Sequence, residues 1–140
     1  MSRIFWDTNL FIYLFEDYGK FSQSVTELRD KMLSRGDQLY TSTISLGEVL
    51  VKPTEKGDAE LCHKYEEAMV RTATLLPFDL RAARSYSAIR SDRSVRAADA
   101  VQLACAASAG IDLFVTNDRR LQGKSFPGIQ FIVPIDRVPI

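Results

Sequence analysis

Four acidic residues, widely spaced along the chain, are the side chains best suited to chemistry: Asp7, Glu48, Asp99 and Asp118. Carboxylates gathered in one place repel one another unless a proton or a cation compensates them. Ligation by oxygen alone selects a hard ion such as Mg²⁺ or Mn²⁺. Such an ion can acidify a water molecule and neutralise charge on phosphate oxygens. If the fold brings the four acids together, they predict a metal site suited to phosphodiester hydrolysis.

The hydrophobic pattern predicts strands that alternate with helices. The strands are expected at Arg3 to Trp6, Leu39 to Ile44, Thr74 to Leu76, Leu113 to Thr116 and Ile129 to Val133. The helices are expected from about Thr8 to Phe15, Ser22 to Arg35, Ser45 to about Lys52-Pro53, Asp58 to Thr72, Leu80 to Ile89 after an N-cap at Asp79, and Ser94 to Ala109. Gly36 and Gly110 are expected to end the helices that precede them.

This alternation predicts an α/β fold in which helices cover both faces of a central parallel sheet of about five strands. In such sheets, sites form beyond the carboxyl ends of the strands, where the strand order reverses. Asp7 follows the first strand, Glu48 the second and Asp118 the fourth, and Asp99 lies near the start of the helix that leads into the fourth strand. We therefore expect all four acids at one end of the sheet.

Length and composition indicate one ordinary globular domain spanning residues 1–140, with 46% hydrophobic and 26% charged residues. Lys plus Arg and Asp plus Glu both number 18, so the formal net charge is zero. That balance argues against a protein that binds nucleic acid through phosphates alone, which usually carries excess cations. It does not exclude a nuclease, whose site concentrates carboxylates.

The two cysteines, Cys62 and Cys105, lie in helical patterns rather than in a Cys-x-x-Cys pair, which favours reduced thiols in a cytoplasmic protein over a disulfide or zinc site. The N-terminus has no charged leader before a long apolar run, and the apolar run from Leu10 to Phe15 is too short to span a membrane. The single histidine, His63, lies near several glutamates on a helix, which is typical of a surface residue.

Four segments of the sequence resemble the motifs of PIN domains. They are Trp6-Asp7-Thr8-Asn9, Ile44-Ser45-Leu46-Gly47-Glu48-Val49, Ala98-Asp99-Ala100-Val101-Gln102-Leu103-Ala104 and Val115-Thr116-Asn117-Asp118. Their order and spacing are similar too, and the overall length resembles that of the VapC-type toxins of prokaryotic toxin-antitoxin pairs. The resemblance covers most of the chain.

The resemblance implies a Mg²⁺- or Mn²⁺-dependent endoribonuclease that cuts RNA by water attack. It also implies a cognate antitoxin that inserts into the acidic groove, and frequent homodimerisation. The four acids would be metal ligands or water activators, and hydrogen bonds from neighbouring polar residues would position them. Those neighbours are Thr8, Asn9, Thr116 and Asn117. Arg119-Arg120-Leu121 stands where many relatives carry a further acid and an aromatic residue, which argues against a fifth acidic ligand.

Each acid also has a purely local explanation. Asp7 could be a helix N-cap, and Ser45-x-x-Glu48 has the form of a capping box. Asp99 could be a solvated acid in a first helical turn, and Asp118 a turn residue after a strand. Four independent local explanations do not predict that all four acids should fall at one end of one sheet.

Basic and aromatic residues allow two interpretations. Arg93, Arg96, Arg119 and Arg120 could contact RNA phosphates or form surface ion pairs. Aromatic residues cluster around the first helix and could stack on bases, form the core or form a dimer surface. These are Phe5, Trp6, Phe11, Tyr13, Phe15 and Tyr18.

Two other functions compete with that of a nuclease. A haloacid-dehalogenase type phosphatase needs a second acid two residues after the first, and the chain has Asn9 there. A catalytically silent PIN-like module that only binds RNA or a protein stays open as the alternative, because sequence does not show whether the acids bind metal.

Overall fold

The computed structural model describes all residues from Met1 to Ile140. It contains one five-stranded sheet with the strand order β3-β2-β1-β4-β5, and every neighbouring pair is parallel. The strands are β1 Arg3–Trp6, β2 Gln38–Ser42, β3 Thr74–Leu76, β4 Ile111–Val115 and β5 Ile129–Val133. The predicted α/β class and the parallel five-stranded sheet are therefore confirmed.

Seven α-helices connect and cover these strands. They are α1 Thr8–Phe15, α2 Lys20–Arg35, α3 Thr43–Val49, α4 Val51–Glu55, α5 Ala59–Thr72, α6 Leu80–Arg90 and α7 Ala97–Ala109, and a 3-10 turn follows β5 at Ile135–Arg137. The side chains of β1 alternate between two apolar clusters, with Ile4 and Trp6 in one and Phe5 in the other. The first cluster includes residues of α1, α2 and α5, and the second those of α6 and α7. Helices cover both faces, as predicted.

The strand order reverses direction at β1. From β1 the chain moves to β2 and β3 on one side, and β4 then pairs with the other side of β1. At the carboxyl end of this pair Trp6 lies opposite Val115, and the Asp7 amide donates to the Val115 carbonyl at 3.0 Å. The segments that follow β1 and β4 consequently meet at the point where a parallel sheet forms its crevice.

The first residues of α3 differ from the sequence prediction. The second strand ends at Ser42, and α3 begins at Thr43 rather than at Ser45. Ser42 is the N-cap, and its hydroxyl accepts a hydrogen bond from the Ser45 amide at 3.2 Å. The capping box proposed for Ser45 and Glu48 is therefore wrong, because both residues lie inside the helix.

Two other helix boundaries also differ from the sequence prediction. Helix α7 begins at Ala97 instead of Ser94, because Asp92 accepts hydrogen bonds from both the amide and the hydroxyl of Ser94 and holds a turn before the helix. Pro53 lies in the first turn of α4, where an amide N–H is not needed, so the chain stays helical to Glu55.

Several smaller predictions are confirmed. Asp79 caps α6 by accepting from the Ala82 amide, and Gly36 and Gly110 end α2 and α7 in the left-handed conformation. His63 is on the surface, 3.7 Å from Glu67.

Both cysteines are free thiols, and burial raises the pKa of the Cys105 thiol to about 11. That thiol is therefore a packing group rather than a nucleophile. No helix combines the length and the apolar character needed to cross a bilayer.

Candidate active site

Asp7 lies between β1 and α1 and is held from two sides. Its Oδ1 accepts the Thr8 amide at 2.8 Å, which makes it the N-cap of α1, and its Oδ2 accepts the Thr116 hydroxyl at 2.8 Å. Burial, aided by the charges of Asp99 and Glu48, raises the pKa of Asp7 to about 6 even though the two hydrogen bonds lower it. Capping and membership of an acidic site are thus both true of Asp7.

Glu48 lies in the last turn of α3, whereas a helix that begins at Ser45, as predicted, would place it in the first turn. One carboxylate oxygen, Oε1, accepts the Thr8 hydroxyl at 2.9 Å and lies 3.4 Å from the amide nitrogen of Gln102. Thr8 therefore contacts two of the four acids, Asp7 through its amide and Glu48 through its hydroxyl.

Asp99 and Asp118 both lie near the guanidinium of Arg120. Asp118 accepts Nε of Arg120 at 3.0 Å and Nη2 at 2.6 Å, one on each carboxylate oxygen. The same Nη2 lies 3.9 Å from Asp99 Oδ2. This bidentate pair holds the pKa of Asp118 below its ordinary value. The pKa of Asp99, in the first turn of α7, is raised by burial and by the Asp118 charge.

The four acids form one continuous electrostatic cluster at the carboxyl end of the sheet. The charges of Glu48 and Asp99 raise the pKa of Asp7, and the charge of Asp118 raises that of Asp99. This linkage is what the sequence predicted from four separate segments.

The chemistry of the four acidic side chains fits a hard divalent ion. Their donor atoms are carboxylate oxygens, and a positive group, the Arg120 guanidinium, already lies against two of them. As the side chains stand, no three acidic, histidine or cysteine side chains are close enough to hold one metal ion together. Arg120 contacts both carboxylate oxygens of Asp118, so ligation of an ion by Asp118 would require Arg120 to move away.

A buried polar network beneath Glu48 was not predicted from the sequence. Gln102 of α7 is 4% exposed, and its amide nitrogen lies 2.9 Å from the Thr8 hydroxyl and 2.7 Å from the Ser45 hydroxyl. Its carbonyl oxygen accepts the Ser42 hydroxyl at 2.5 Å. A signal was present in the sequence, because Gln102 follows Asp99 by one helical turn on a mostly apolar helix, and a buried amide needs hydrogen-bond partners.

Of the four residues expected to position the acids, two do so. Thr8 and Thr116 donate hydrogen bonds to them, and the Thr116 hydroxyl also accepts the Asp118 amide at 3.1 Å. Asn9 and Asn117 form no hydrogen bond to the acids in the structure. Asn9 is exposed without a hydrogen bond to any of the acids, and the Asn117 amide donates to the Tyr13 hydroxyl at 3.3 Å.

The candidate RNA-contacting arginines separate into different places. Arg120 is paired with Asp118, and Arg96, which precedes α7, is close enough for its charge to lower the pKa of Asp99 and Asp118. Arg119 lines a cleft beside the acidic cluster, whereas Arg93 lines a separate depression with Arg90. Among the aromatic residues, Phe5, Trp6 and Phe11 are fully buried in the core.

Comparison with known proteins identifies the family. The model of the PIN domain matches residues 4–127. The chain belongs to the PIN-domain family. Among proteins with curated descriptions, none matches it significantly.

Solved structures share the fold of this PIN domain at low sequence identity. VapBC2 from Rickettsia felis, bound to a DNA fragment from its promoter, superposes with a TM-score of 0.74 at 14% identity, covering 94% of this chain and 97% of that chain. DNA-bound VapBC from Salmonella typhimurium gives 0.73 at 23% identity, covering 96% and 99%. A VapBC-family toxin-antitoxin system from Mycobacterium tuberculosis gives 0.61 at 21% identity, covering 94% and 98%.

Proposed function

We propose that this PIN domain is a Mg²⁺- or Mn²⁺-dependent endoribonuclease and the toxin of a VapBC-type toxin-antitoxin pair. The observation that carries the proposal is the convergence of four carboxylates at the switch point of the sheet. There, burial and neighbouring acids raise the pKa of Asp7 to about 6. A protein that only needed a stable fold would gain nothing from this arrangement, since clustered acids destabilise the folded state.

In this proposal the residues that would hold the ion are Asp7, Glu48, Asp99 and Asp118. A bound divalent ion would supply an acidified water and would neutralise charge on the scissile phosphate. Thr116 and the Thr8 amide fix the Asp7 carboxylate, and the Thr8 hydroxyl fixes Glu48. Asp7 must be ionised to act as a ligand, and a nearby cation favours that form at neutral pH.

Arg120 has two roles in this proposal. In the structure its guanidinium neutralises Asp118. Once released, it lies at the edge of the acidic cluster, where a guanidinium is well suited to bind a phosphate oxygen of RNA. Arg96, whose charge already reaches Asp99 and Asp118, would add to the positive rim.

The VapBC complexes that share this fold support an antitoxin as partner. By the same resemblance we propose a homodimer that acts in the cytoplasm, where free thiols such as Cys62 stay reduced. The alternative, a silent module that binds RNA or protein without cleaving it, keeps the fold and the partner but predicts no metal-dependent hydrolysis.

The decisive experiment compares two acid-to-amide variants in cleavage of a labelled RNA with Mn²⁺. Asp7→Asn should lower the rate by more than about 100-fold, because loss of even an outer partner of a metal site typically costs 10–100-fold. Asp30→Asn is the matched control, since Asp30 is exposed on α2. EDTA should abolish cleavage by the wild type. Equal degradation by wild type and Asp7→Asn, in Mn²⁺ and in EDTA alike, would exclude the mechanism.

The toxin role needs a separate test. The product of a short reading frame immediately upstream, if one is present, should bind the tagged chain and relieve growth inhibition when the two are co-expressed. An active nuclease whose expression leaves growth unaffected would be a free-standing enzyme and not a toxin.

A further inference from the structure

A cleft of about 510 Å³ lies beside the acidic cluster and shares a wall with it. The shared wall is the segment after β4, in which Asn117 and Arg119 line the cleft while Asp118 between them belongs to the cluster. The rest of the lining comes from the first turns of α2 and from the segment after β5. The lining residues are Lys20, Phe21, Ser24, Asn117, Arg119, Gln122, Pro134, Ile135, Asp136 and Arg137. Its size is ordinary for a small-molecule site, which typically measures 300–1,000 Å³.

The charge of the cleft is positive and largely unused by the fold. Three cationic side chains, those of Lys20, Arg119 and Arg137, line it against a single acid, Asp136. None of the three cations forms a salt bridge, whereas the neighbouring Arg120 is paired with Asp118. Unpaired cations around a concave surface concentrate anions, and phosphate is the anion that a guanidinium matches best.

One wall of the cleft presents a supported aromatic face. Phe21 is 47% exposed, and one side of its ring stacks on Tyr13 with centroids 5.0 Å apart and the planes at 16°. Tyr13 in turn accepts the Asn117 amide at 3.3 Å. The ring is thus braced by a residue bonded to the loop of the acidic site. An exposed, braced ring beside unpaired cations is the arrangement by which proteins stack single-stranded bases.

We propose that this cleft binds a nucleotide of single-stranded RNA next to the one that is cleaved. The base stacks on the open face of Phe21, and the backbone phosphates lie against Lys20, Arg119 and Arg137. A protein segment fits the cleft less well, because Phe21 and Ile135 are its only large apolar side chains. The inference rests on the proposed nuclease function and adds where the substrate lies.

The test measures binding in a background that cannot cleave. Asp7→Asn protein is titrated with fluorescein-labelled oligo(U), and fluorescence anisotropy gives the affinity. Adding Phe21→Ala should weaken binding about tenfold, whereas Phe21→Trp should retain it. The control is Phe131→Ala, an aromatic that is 57% exposed on β5 and does not line the cleft.

The phosphate contacts are tested by salt dependence. Lys20→Gln and Arg137→Gln should each weaken binding and should each lower the slope of log affinity against log salt by about 0.7, the value for one single-strand phosphate contact. Arg84→Gln, on the exposed side of α6, should change neither quantity. Thermal denaturation of every variant separates loss of binding from loss of folding.

Several results would overturn the proposal. They are no measurable binding of oligo(U) by Asp7→Asn, equal losses for Phe21→Ala and Phe131→Ala, or a Phe21-dependent affinity for oligo-glutamate and not for RNA. The last would assign the cleft to an acidic protein partner. Failure here is distinguishable from failure of the nuclease proposal. If the cleft variants bind RNA normally while the wild type cleaves RNA and Asp7→Asn does not, only the cleft proposal fails.

Discussion

The acidic cluster has two halves that differ in how their negative charge is compensated. Asp7 and Glu48 accept hydrogen bonds from Thr8, and Asp7 also from Thr116, but no cation pairs with either of them. Asp118 instead pairs directly with Arg120, and Asp99 lies at the edge of that ion pair. The first half is fixed in position and has no paired cation, and in the second half Arg120 compensates the charge of Asp118. Both properties suit the cation site that we propose.

The largest expected effect concerns Asp7, in the half of the cluster that has no paired cation. Because the pKa of Asp7 in the folded protein is about 6 against an ordinary 3.8, the folded protein keeps this proton to higher pH than the unfolded chain does. The penalty for ionising Asp7 is therefore absent below about pH 4, grows between about pH 4 and 6, and is complete above that. Without metal, Asp7→Asn should raise the free energy of unfolding by about 3 kcal/mol at about pH 8 and by almost nothing at about pH 4.

Urea denaturation in EDTA at several pH values measures this difference. Asn is as good an N-cap as Asp, so the cap of α1 is retained in the variant. A gain in stability that does not depend on pH would contradict the stated cause.

The second prediction tests the buried hydrogen bonds that position Glu48. Gln102→Leu leaves the buried hydroxyls of Ser42 and Ser45 with fewer partners, and unsatisfied buried groups cost about 1–3 kcal/mol. We expect the free energy of unfolding to fall by about 2 kcal/mol. Since Gln102 also lies against Thr8, which fixes Glu48, Mn²⁺ affinity should fall about tenfold or more.

Gln130→Leu is the matched control, because Gln130 is exposed on β5 and the chemical change is the same. Calorimetric titration with Mn²⁺ provides a readout beyond stability. If Gln102→Leu were destabilised but bound Mn²⁺ normally, Gln102 would be a structural residue only.

The smallest expected effect concerns the half formed by Asp99 and Asp118, where Arg120 compensates the charge of Asp118. Arg120→Gln removes the guanidinium that an incoming ion must displace from Asp118, so Mn²⁺ should bind about tenfold more tightly. Arg84→Gln, far from the acids on α6, should leave the affinity unchanged. Electron paramagnetic resonance of free Mn²⁺ measures both; equal or weaker affinity in Arg120→Gln would show that Arg120 does not compete with the ion.

The sequence predicted the framework well because its signals are local. Alternation of strands with helices gave the parallel sheet, and the positions of Asp7 and Asp118 just after two strands placed them at its carboxyl end. The start of α3 was missed because Ser42 and Ser45 are equally good N-caps in sequence. What decides between them is tertiary: the Ser45 hydroxyl is buried against Gln102, which comes from a helix far along the chain.

The pairing of Arg120 with Asp118 could not be predicted for a similar reason. Arg120 follows Asp118 by two residues, a spacing compatible with either a paired or a free side chain. Only the turn geometry after β4 directs the guanidinium back onto the carboxylate, where it also approaches Asp99 from α7. For Asn9 and Asn117 the motif resemblance predicted hydrogen bonds to the acids, and the structure places the Asn117 amide on the Tyr13 hydroxyl instead.

The strand order also governs when the site can exist during synthesis. β1 is made first, but its neighbour β4 is made only after the other helices and β2 and β3, so one edge of β1 stays unpaired until late. At roughly 5–20 residues per second, roughly 5–20 s separate translation of Asp7 from that of Asp118. A nascent chain therefore carries an incomplete acidic cluster for most of its time on the ribosome. If the domain is the toxin we propose, the cell is protected from it until translation is nearly finished.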